Sequence, residues 1–97
     1  MRAYELMYIT RPDLEEEAEK ALLERLQKII TDQGGTVEHV DVWGRRRLAY
    51  EIAGYREGSY TVLQFQAPVG VTHELERVIR LSDDIIRHII VLREKVA

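Results

Sequence analysis

The sequence predicts an α+β fold in which a four-stranded antiparallel sheet carries two helices on one face. Two segments have the helical spacing of apolar residues, and four others are rich in β-branched and aromatic residues. Their order along the chain is strand, helix, strand, strand, helix, strand. No linker, repeat or low-complexity segment interrupts this order, so a single domain is expected over residues 1–97.

A short loop is expected between the first strand and the first helix. Residues 3–9 combine aromatic and β-branched side chains, which indicates a strand, and Pro12 ends it. Asp13 is expected to cap the following helix, because Glu16 stands three residues later, as in a capping box. Apolar side chains then recur at intervals of three and four residues until Gly34, which favours the left-handed backbone that ends many helices.

The middle of the chain is expected to form a long hairpin. Residues 36–52 are β-prone throughout, and Gly44 within them indicates a bulge or bend. The glycines of residues 53–58 indicate the connection. Residues 59–67 then alternate as a returning strand, which Pro68 ends.

The last two elements complete a recognisable topology. Thr72 is expected to cap a helix that runs through Leu81, and a final strand is expected over residues 85–92. Two strand–helix–strand units that share one sheet give the split β-α-β, or ferredoxin-like, arrangement (β-α-β-β-α-β). In that arrangement the strand order is 4-1-3-2, so the long second strand lies at an edge of the sheet.

The composition argues against an enzyme. Cysteine and asparagine are absent, the two serines lie outside any nucleophile motif, and the three histidines lack zinc-binding spacing. No glycine-rich loop is present that could hold a phosphate. We therefore expect no catalytic residue, no cofactor and no metal ion. The chain also lacks a secretory signal and an apolar run of the ~20 residues that a membrane span needs, which indicates a cytoplasmic protein with no membrane partner.

The charge of the chain is unevenly distributed. The formal net charge is −3, but five acidic residues lie within residues 13–19, where no basic residue occurs. Outside that segment the 14 basic residues outnumber the remaining acidic ones, and three of them form the run Arg45-Arg46-Arg47. Because phosphate attraction depends on local patches, the net charge does not exclude an RNA partner.

Three segments carry a specific combination of motifs at matching spacing. They are Arg2-Ala3-Tyr4-Glu5 with Pro12 after the first strand, the run Trp-Gly-Arg-Arg-Arg-Leu-Ala-Tyr-Glu-Ile at 43–52, and Leu-Ser-Asp-Asp-Ile-Ile-Arg-His-Ile-Ile-Val at 81–91. Through them the chain resembles the bacterial small-subunit ribosomal protein six family, in register over residues 2–92. The resemblance implies a structural protein of the small ribosomal subunit. It also implies binding to the 16S ribosomal RNA at the platform, together with the small basic ribosomal protein eighteen.

The second strand is the candidate partner-binding site. Its arginine run admits two interpretations, which are protection of the edge against strand pairing and a docking surface for the partner. Strand alternation places Arg45 and Arg47 opposite Arg46, so one surface cannot use all three. Trp43 is equally consistent with core packing and with an interface anchor. The charged edge favours a monomer when the protein is free. The resemblance implies a partner contact at the following residues: Asp41, Trp43, Arg45, Arg46 and Arg47.

Four other arginines are candidates for contacts with RNA. A solvated charge is the alternative for each, but together they are expected near one end of the sheet. Base stacking on Tyr60 and Val62 is rejected as the main mode, because no accompanying RNA-recognition signature is present. The alternative functions are a ferredoxin-like enzyme, which the missing asparagine argues against, and a small-molecule-sensing or oligomerisation domain. The candidate RNA-binding residues are Arg2, Arg80, Arg87 and Arg93.

Overall fold

The computed structural model describes residues 1–93 and contains the six expected elements in the expected order. The strands pair antiparallel in the order β2-β3-β1-β4. This confirms the ferredoxin-like α+β fold and places the long second strand at an edge. The elements are β1 (Arg2–Thr10), α1 (Glu16–Asp32), β2 (Thr36–Ile52), β3 (Tyr55–Ala67), α2 (Gly70–Leu81) and β4 (Ile85–Leu92).

The core lies between the two helices and one face of the sheet. Alternate residues of β1 and β3 point into it, while α1 and α2 each contribute one apolar stripe, as their spacing predicts. The largest side chain that is fully buried is Phe65, whose ring stacks on Tyr4 at 5.6 Å between centroids. Neither helix in the described part of the chain is long and apolar enough to cross a membrane. The core residues of the strands and helices are Tyr4, Leu6, Tyr8, Leu22, Leu26, Ile30, Leu63, Phe65, Ala67, Val71, Leu75, Val78 and Ile79.

The predicted cap at Asp13 was wrong. The helix begins at Glu16, and Glu15 occupies the cap position without a side-chain hydrogen bond to the helix. The Asp13 carboxylate instead pairs with the Arg11 guanidinium at 3.0 Å, and Arg11 also pairs with Asp84 at 3.0 Å. This long-range ion-pair cluster holds Asp13 away from the helix end, and the acidic first turn still complements the helix dipole.

The predicted cap at Thr72 was also wrong. The second helix begins at Gly70, and Val69 before it already has helical backbone angles. The Val71 N–H therefore donates to the Pro68 carbonyl at 3.1 Å. The Thr72 hydroxyl donates backwards to the Val69 carbonyl at 2.9 Å, so it does not accept a bond from the helix N-terminus.

The hairpin between β2 and β3 is tighter than the sequence suggested. The third strand begins at Tyr55 rather than Ser59, and the turn consists of Ala53 and Gly54, whose φ angles are +51° and +86°. Positive φ at both central residues is the geometry of a two-residue hairpin turn. Gly58 therefore lies within the strand, and its Cα is packed so closely that a Cβ would meet the Ile9 side chain at 2.3 Å.

The other face of the sheet carries no helix. The strand registers arrange its side chains in rows that cross all four strands. Because β2 and β4 form opposite ends of each row, side chains of the two edges share this open face. Two of these rows are neighbours: one contains Asp41, Val62, Met7 and Ile89, and the next contains Trp43, Tyr60, Ile9 and Arg87.

Candidate partner-binding edge and RNA-contact arginines

A bulge in β2 decides which side chains share the open face. Val42 pairs with Thr61 and Gly44 pairs with Tyr60, so Trp43 is an additional residue in the strand. The φ angle of +81° at Gly44 is the left-handed conformation that favours glycine at a bulge. The prediction of a bulge at Gly44 is confirmed. Simple alternation would place Trp43 with the odd-numbered arginines, but the extra residue shifts the phase by one position.

On the open face, four side chains form a connected group that we call the Trp43 cluster: Asp41, Trp43, Arg46 and Tyr60. The Trp43 indole stacks on the Tyr60 ring with 5.8 Å between centroids and 11° between planes. The indole N–H donates to the Asp41 carboxylate at 2.9 Å, and the Arg46 guanidinium lies 6.0 Å from the indole centroid. Together with Val42 they line a shallow depression of about 650 Å³.

Trp43 is exposed at the surface and is not a core residue. Its exposed fraction is 45%, although its ring orientation is fixed by Asp41 on one side and Tyr60 on the other. A large side chain that is held rigidly at the surface loses little conformational freedom when a partner covers it. The structure thus excludes core packing for Trp43, and its role in an interface stays a prediction.

The three arginines of the run do not share one surface. Arg45 pairs in register with Ser59 on the helix side of the sheet, where its guanidinium donates to the Pro12 carbonyl at 2.8 Å. Arg46 lies on the open face over Trp43, so the predicted opposition of Arg45 and Arg46 is confirmed. Arg47 pairs with Glu57 and alternates onto the side of Arg45.

The four candidate RNA-binding arginines are not clustered at one end of the sheet, and that expectation was wrong. Arg2 begins β1, and the Arg93 backbone lies beside it because β4 runs antiparallel to β1. Arg87 lies beside the other end of β1, six residues and roughly 20 Å from Arg93 along the strand. Arg80 lies on α2, in its last turn.

Arg80 and Arg93 form ion pairs within the chain. Arg80 pairs with Glu76 at 3.1 Å, within its own helix. Arg93 follows β4, and its guanidinium lies 2.8 Å from the Glu38 carboxylate on β2. Each retains further N–H donors that a phosphate oxygen could accept from, since a guanidinium carries five.

The contact of Arg87 with Tyr50 could not be predicted from the sequence. The guanidinium donates to the Tyr50 hydroxyl at 2.6 Å and lies 5.8 Å from the centroid of that ring. Tyr50 belongs to β2 and Arg87 to β4, which are opposite edges of the sheet. The contact therefore means that the distal part of the hairpin curls across the open face.

A second groove borders the same stretch of β2 on the helix side, between β2 and the start of α1. Its volume is about 610 Å³, and Tyr8, with an exposed fraction of 2%, lies at its floor. Burial raises the pKa of Tyr8 to about 12; a hydrogen bond with Thr61 acts in the opposite direction, and the nearby Glu19 carboxylate raises it further. Within residues 1–93, no group of three or more histidine or acidic side chains could hold a metal ion.

The raised pKa of Tyr8 predicts a loss of stability at alkaline pH. The phenol ionises near pH 10 in the unfolded chain, but only near pH 12 in the folded protein. Its contribution to the free energy of unfolding is therefore complete below pH 10. It is lost as the pH rises through 12, by up to about 3 kcal/mol.

Urea unfolding of the wild type and of Tyr8→Phe between pH 9 and pH 12 measures this contribution. The wild type is expected to lose more stability than the variant, because phenylalanine has no proton to release. Parallel pH profiles for the two proteins would contradict the assignment to Tyr8.

The comparison with known proteins identifies the family. The model of the family described as Ribosomal protein S6 matches residues 3–92. The small ribosomal subunit protein bS6 of Moorella thermoacetica is 50% identical over 97 residues, which cover 100% of this chain and 99% of that protein. The protein of the same name from Exiguobacterium sibiricum is 52% identical over 95 residues, which cover 98% of this chain and 100% of that protein.

A solved structure agrees with this result. The crystal structure of 30S ribosomal protein S6 from Thermotoga maritima matches with a TM-score of 0.90 at 39% sequence identity, and the match covers 95% of this chain and 87% of that one. These relatives are ribosomal proteins and not enzymes. The chain therefore belongs to the ribosomal protein S6 family.

Proposed function

We propose that the protein is a structural constituent of the small ribosomal subunit in the cytoplasm, where it binds 16S ribosomal RNA together with ribosomal protein eighteen. Family membership supports the place in the subunit. The observation that carries the pairing with a protein partner is the Trp43 cluster, in which Trp43 is exposed on the edge strand β2 and stacks on Tyr60 of β3.

The chemistry of the cluster suits a protein interface. Tryptophan, tyrosine and arginine are the residues most enriched among those that contribute strongly to binding energy. Trp43 presents a broad apolar surface whose only polar atom is already bonded to Asp41, so covering it leaves no donor unsatisfied. Arg46 adds a cation at the rim, where it also discourages pairing of the edge with a second copy. The same residues therefore discourage self-association of the free protein and provide the contact surface in the complex.

The RNA contacts are proposed to be few and to depend on the partner. The net charge of −3 and the internal pairing of Arg80, Arg87 and Arg93 limit the attraction of this chain for phosphate. Arg2 and Arg93 at one end of the sheet, and Arg87 at the other, would each add one contact to a surface supplied mainly by the basic partner.

The pairing is tested by calorimetric titration of the protein with purified ribosomal protein eighteen. We expect the double variant Arg46→Ala/Arg47→Ala to bind at least tenfold more weakly than the wild type, since it removes the cation over Trp43. Arg56→Ala is the matched control, because that side chain is 88% exposed and lies outside the cluster. No binding by the wild type would contradict the proposal, as would self-association by sedimentation in place of pairing.

The RNA contribution predicts a shallow salt dependence. With two to four phosphate contacts, the slope of log K against log salt for the protein alone is expected to be about −2 to −4. Replacing Arg87 with alanine should reduce that slope by about 1. Filter binding with a 16S central-domain fragment measures it, and Arg25→Ala on the exposed side of α1 is the control. A slope unchanged in Arg87→Ala would remove that residue from the proposed contacts.

A further inference from the structure

Residues 42–46 of β2 present side chains on both faces of the sheet, and both faces border a depression. The open face carries the Trp43 cluster, while Val42 and Arg45 line the groove on the helix side. We call the latter the α1–β2 groove. Because β2 is the outermost strand of the sheet, a bound segment has to pass only one strand to reach from one depression to the other.

The walls of the α1–β2 groove are largely apolar. Leu14 and Leu23 line the α1 side, and Leu23 packs against the core. Val42 forms the opposite rim and is 60% exposed, which is unusual for a valine in the middle of a strand. An apolar side chain seated between these walls would remove Val42 and Leu14 from water.

The start of α1 beside the groove carries acidic side chains without an ion-pair partner in the described part of the chain. Within residues 1–93, no ion pair is formed by Glu15, Glu16 or Glu17, and Glu16 lines the groove. Two acidic residues, Glu16 and Glu19, and two basic residues, Lys20 and Arg45, line the groove, and the Arg45 guanidinium is bonded to the Pro12 carbonyl. With Glu15 and Glu17 in the same stretch of chain as Glu16, the surroundings of the groove are acidic on balance, which favours a basic group in the bound segment.

We propose that the protein partner bound at the Trp43 cluster crosses the β2 edge and seats a short segment in the α1–β2 groove. That segment carries an apolar side chain placed against Val42 and Leu14 and a neighbouring lysine or arginine that faces Glu16. The inference rests on the proposed function, because it names the second half of the same interface. In such a complex, Arg45 and Arg46 both lie beside the partner although they are on opposite faces of β2. Arg46 lies under the partner at the Trp43 cluster, and Arg45 lies at one end of the groove.

A photocrosslinking experiment identifies the occupant directly. The chain contains no cysteine, so Lys20→Cys, an exposed position that lines the groove but not the Trp43 depression, gives a unique thiol for a benzophenone maleimide. Val69→Cys is the control, because Val69 is 55% exposed and does not line the groove. On irradiation with ribosomal protein eighteen, we expect Lys20→Cys to crosslink at least fivefold more than the control. Mass spectrometry should place the crosslink in a segment with an apolar residue next to a lysine or arginine. Equal crosslinking of the two thiols would overturn the inference, as would a crosslink in an acidic segment.

Binding measurements separate this inference from the proposed function. Glu16→Lys is expected to weaken binding about tenfold, whereas Glu17→Lys, in the same helical turn but outside the groove, should weaken it less than threefold. Thermal unfolding of each variant shows that it is folded. If the wild type binds ribosomal protein eighteen and Arg46→Ala/Arg47→Ala weakens binding while Glu16→Lys does not, the inference about the groove is overturned and the proposed function is kept. If the wild type does not bind ribosomal protein eighteen, both the inference and the proposed function are overturned.

Discussion

Replacing Trp43 with alanine is expected to weaken binding to ribosomal protein eighteen by about 30- to 150-fold. This corresponds to the roughly 2–3 kcal/mol that central aromatic anchors contribute to protein interfaces. Trp43 is the largest exposed side chain of the cluster, and Asp41 and Tyr60 hold it in a fixed orientation. Its removal therefore takes away both the contact area and the support for Arg46.

Calorimetric titration measures this effect, and Tyr50→Ala is the control. Tyr50 is an exposed aromatic residue of the same strand, with an exposed fraction of 60%, but it contacts Arg87 and not the cluster. We expect that control to bind within threefold of the wild type. A Trp43→Ala variant that is folded by urea unfolding and still binds within threefold of the wild type would place the interface elsewhere.

Replacing Phe65 with alanine is expected to lower the free energy of unfolding by about 3–5 kcal/mol. Phe65 is fully buried between the sheet and the helices, and its ring stacks on Tyr4. The neighbouring core cannot collapse into the space of a whole ring, so the loss of apolar burial is accompanied by a cavity. This is the largest effect on stability that we expect from one substitution.

Urea unfolding followed by tryptophan fluorescence measures the change. Val69→Ala is the control, because Val69 is 55% exposed and its truncation should change stability by no more than about 0.5 kcal/mol. A loss below about 1.5 kcal/mol in Phe65→Ala would mean that the core can repack around the missing ring.

The elements of the fold were predictable because they depend on local periodicity and on strong breakers. The caps were not, since Asp13 is held by Arg11, and Arg11 by Asp84, which lies more than 70 residues further along the chain. Thr72 failed as a cap for a local reason, since Val69 already adopts helical angles. A side chain that matches a capping motif in the sequence can therefore bind another group of the folded protein in place of the helix end.

The arrangement of the Trp43 cluster was not predictable from the sequence. Asp41, Trp43 and Arg46 were candidates on the edge strand, but Tyr60 was considered only for base stacking, and alternation alone groups Trp43 with Arg45. The bulge at Gly44 reverses that grouping and joins Trp43 to Arg46. The contact between Tyr50 and Arg87 depends on how the hairpin curls over the sheet, which no local pattern encodes. Arg87 and Arg93 lie beside opposite ends of β1, because they are six residues apart along an extended chain.

The proposed function requires that this protein and ribosomal protein eighteen bind 16S ribosomal RNA as a pair through the Trp43 cluster. The most direct test is the affinity of ribosomal protein eighteen for a 16S central-domain fragment, measured without this protein, with it, and with its Trp43→Ala variant. We expect the wild type to tighten RNA binding at least tenfold and the variant to lose most of that gain. The same RNA affinity with and without the wild-type protein would contradict it.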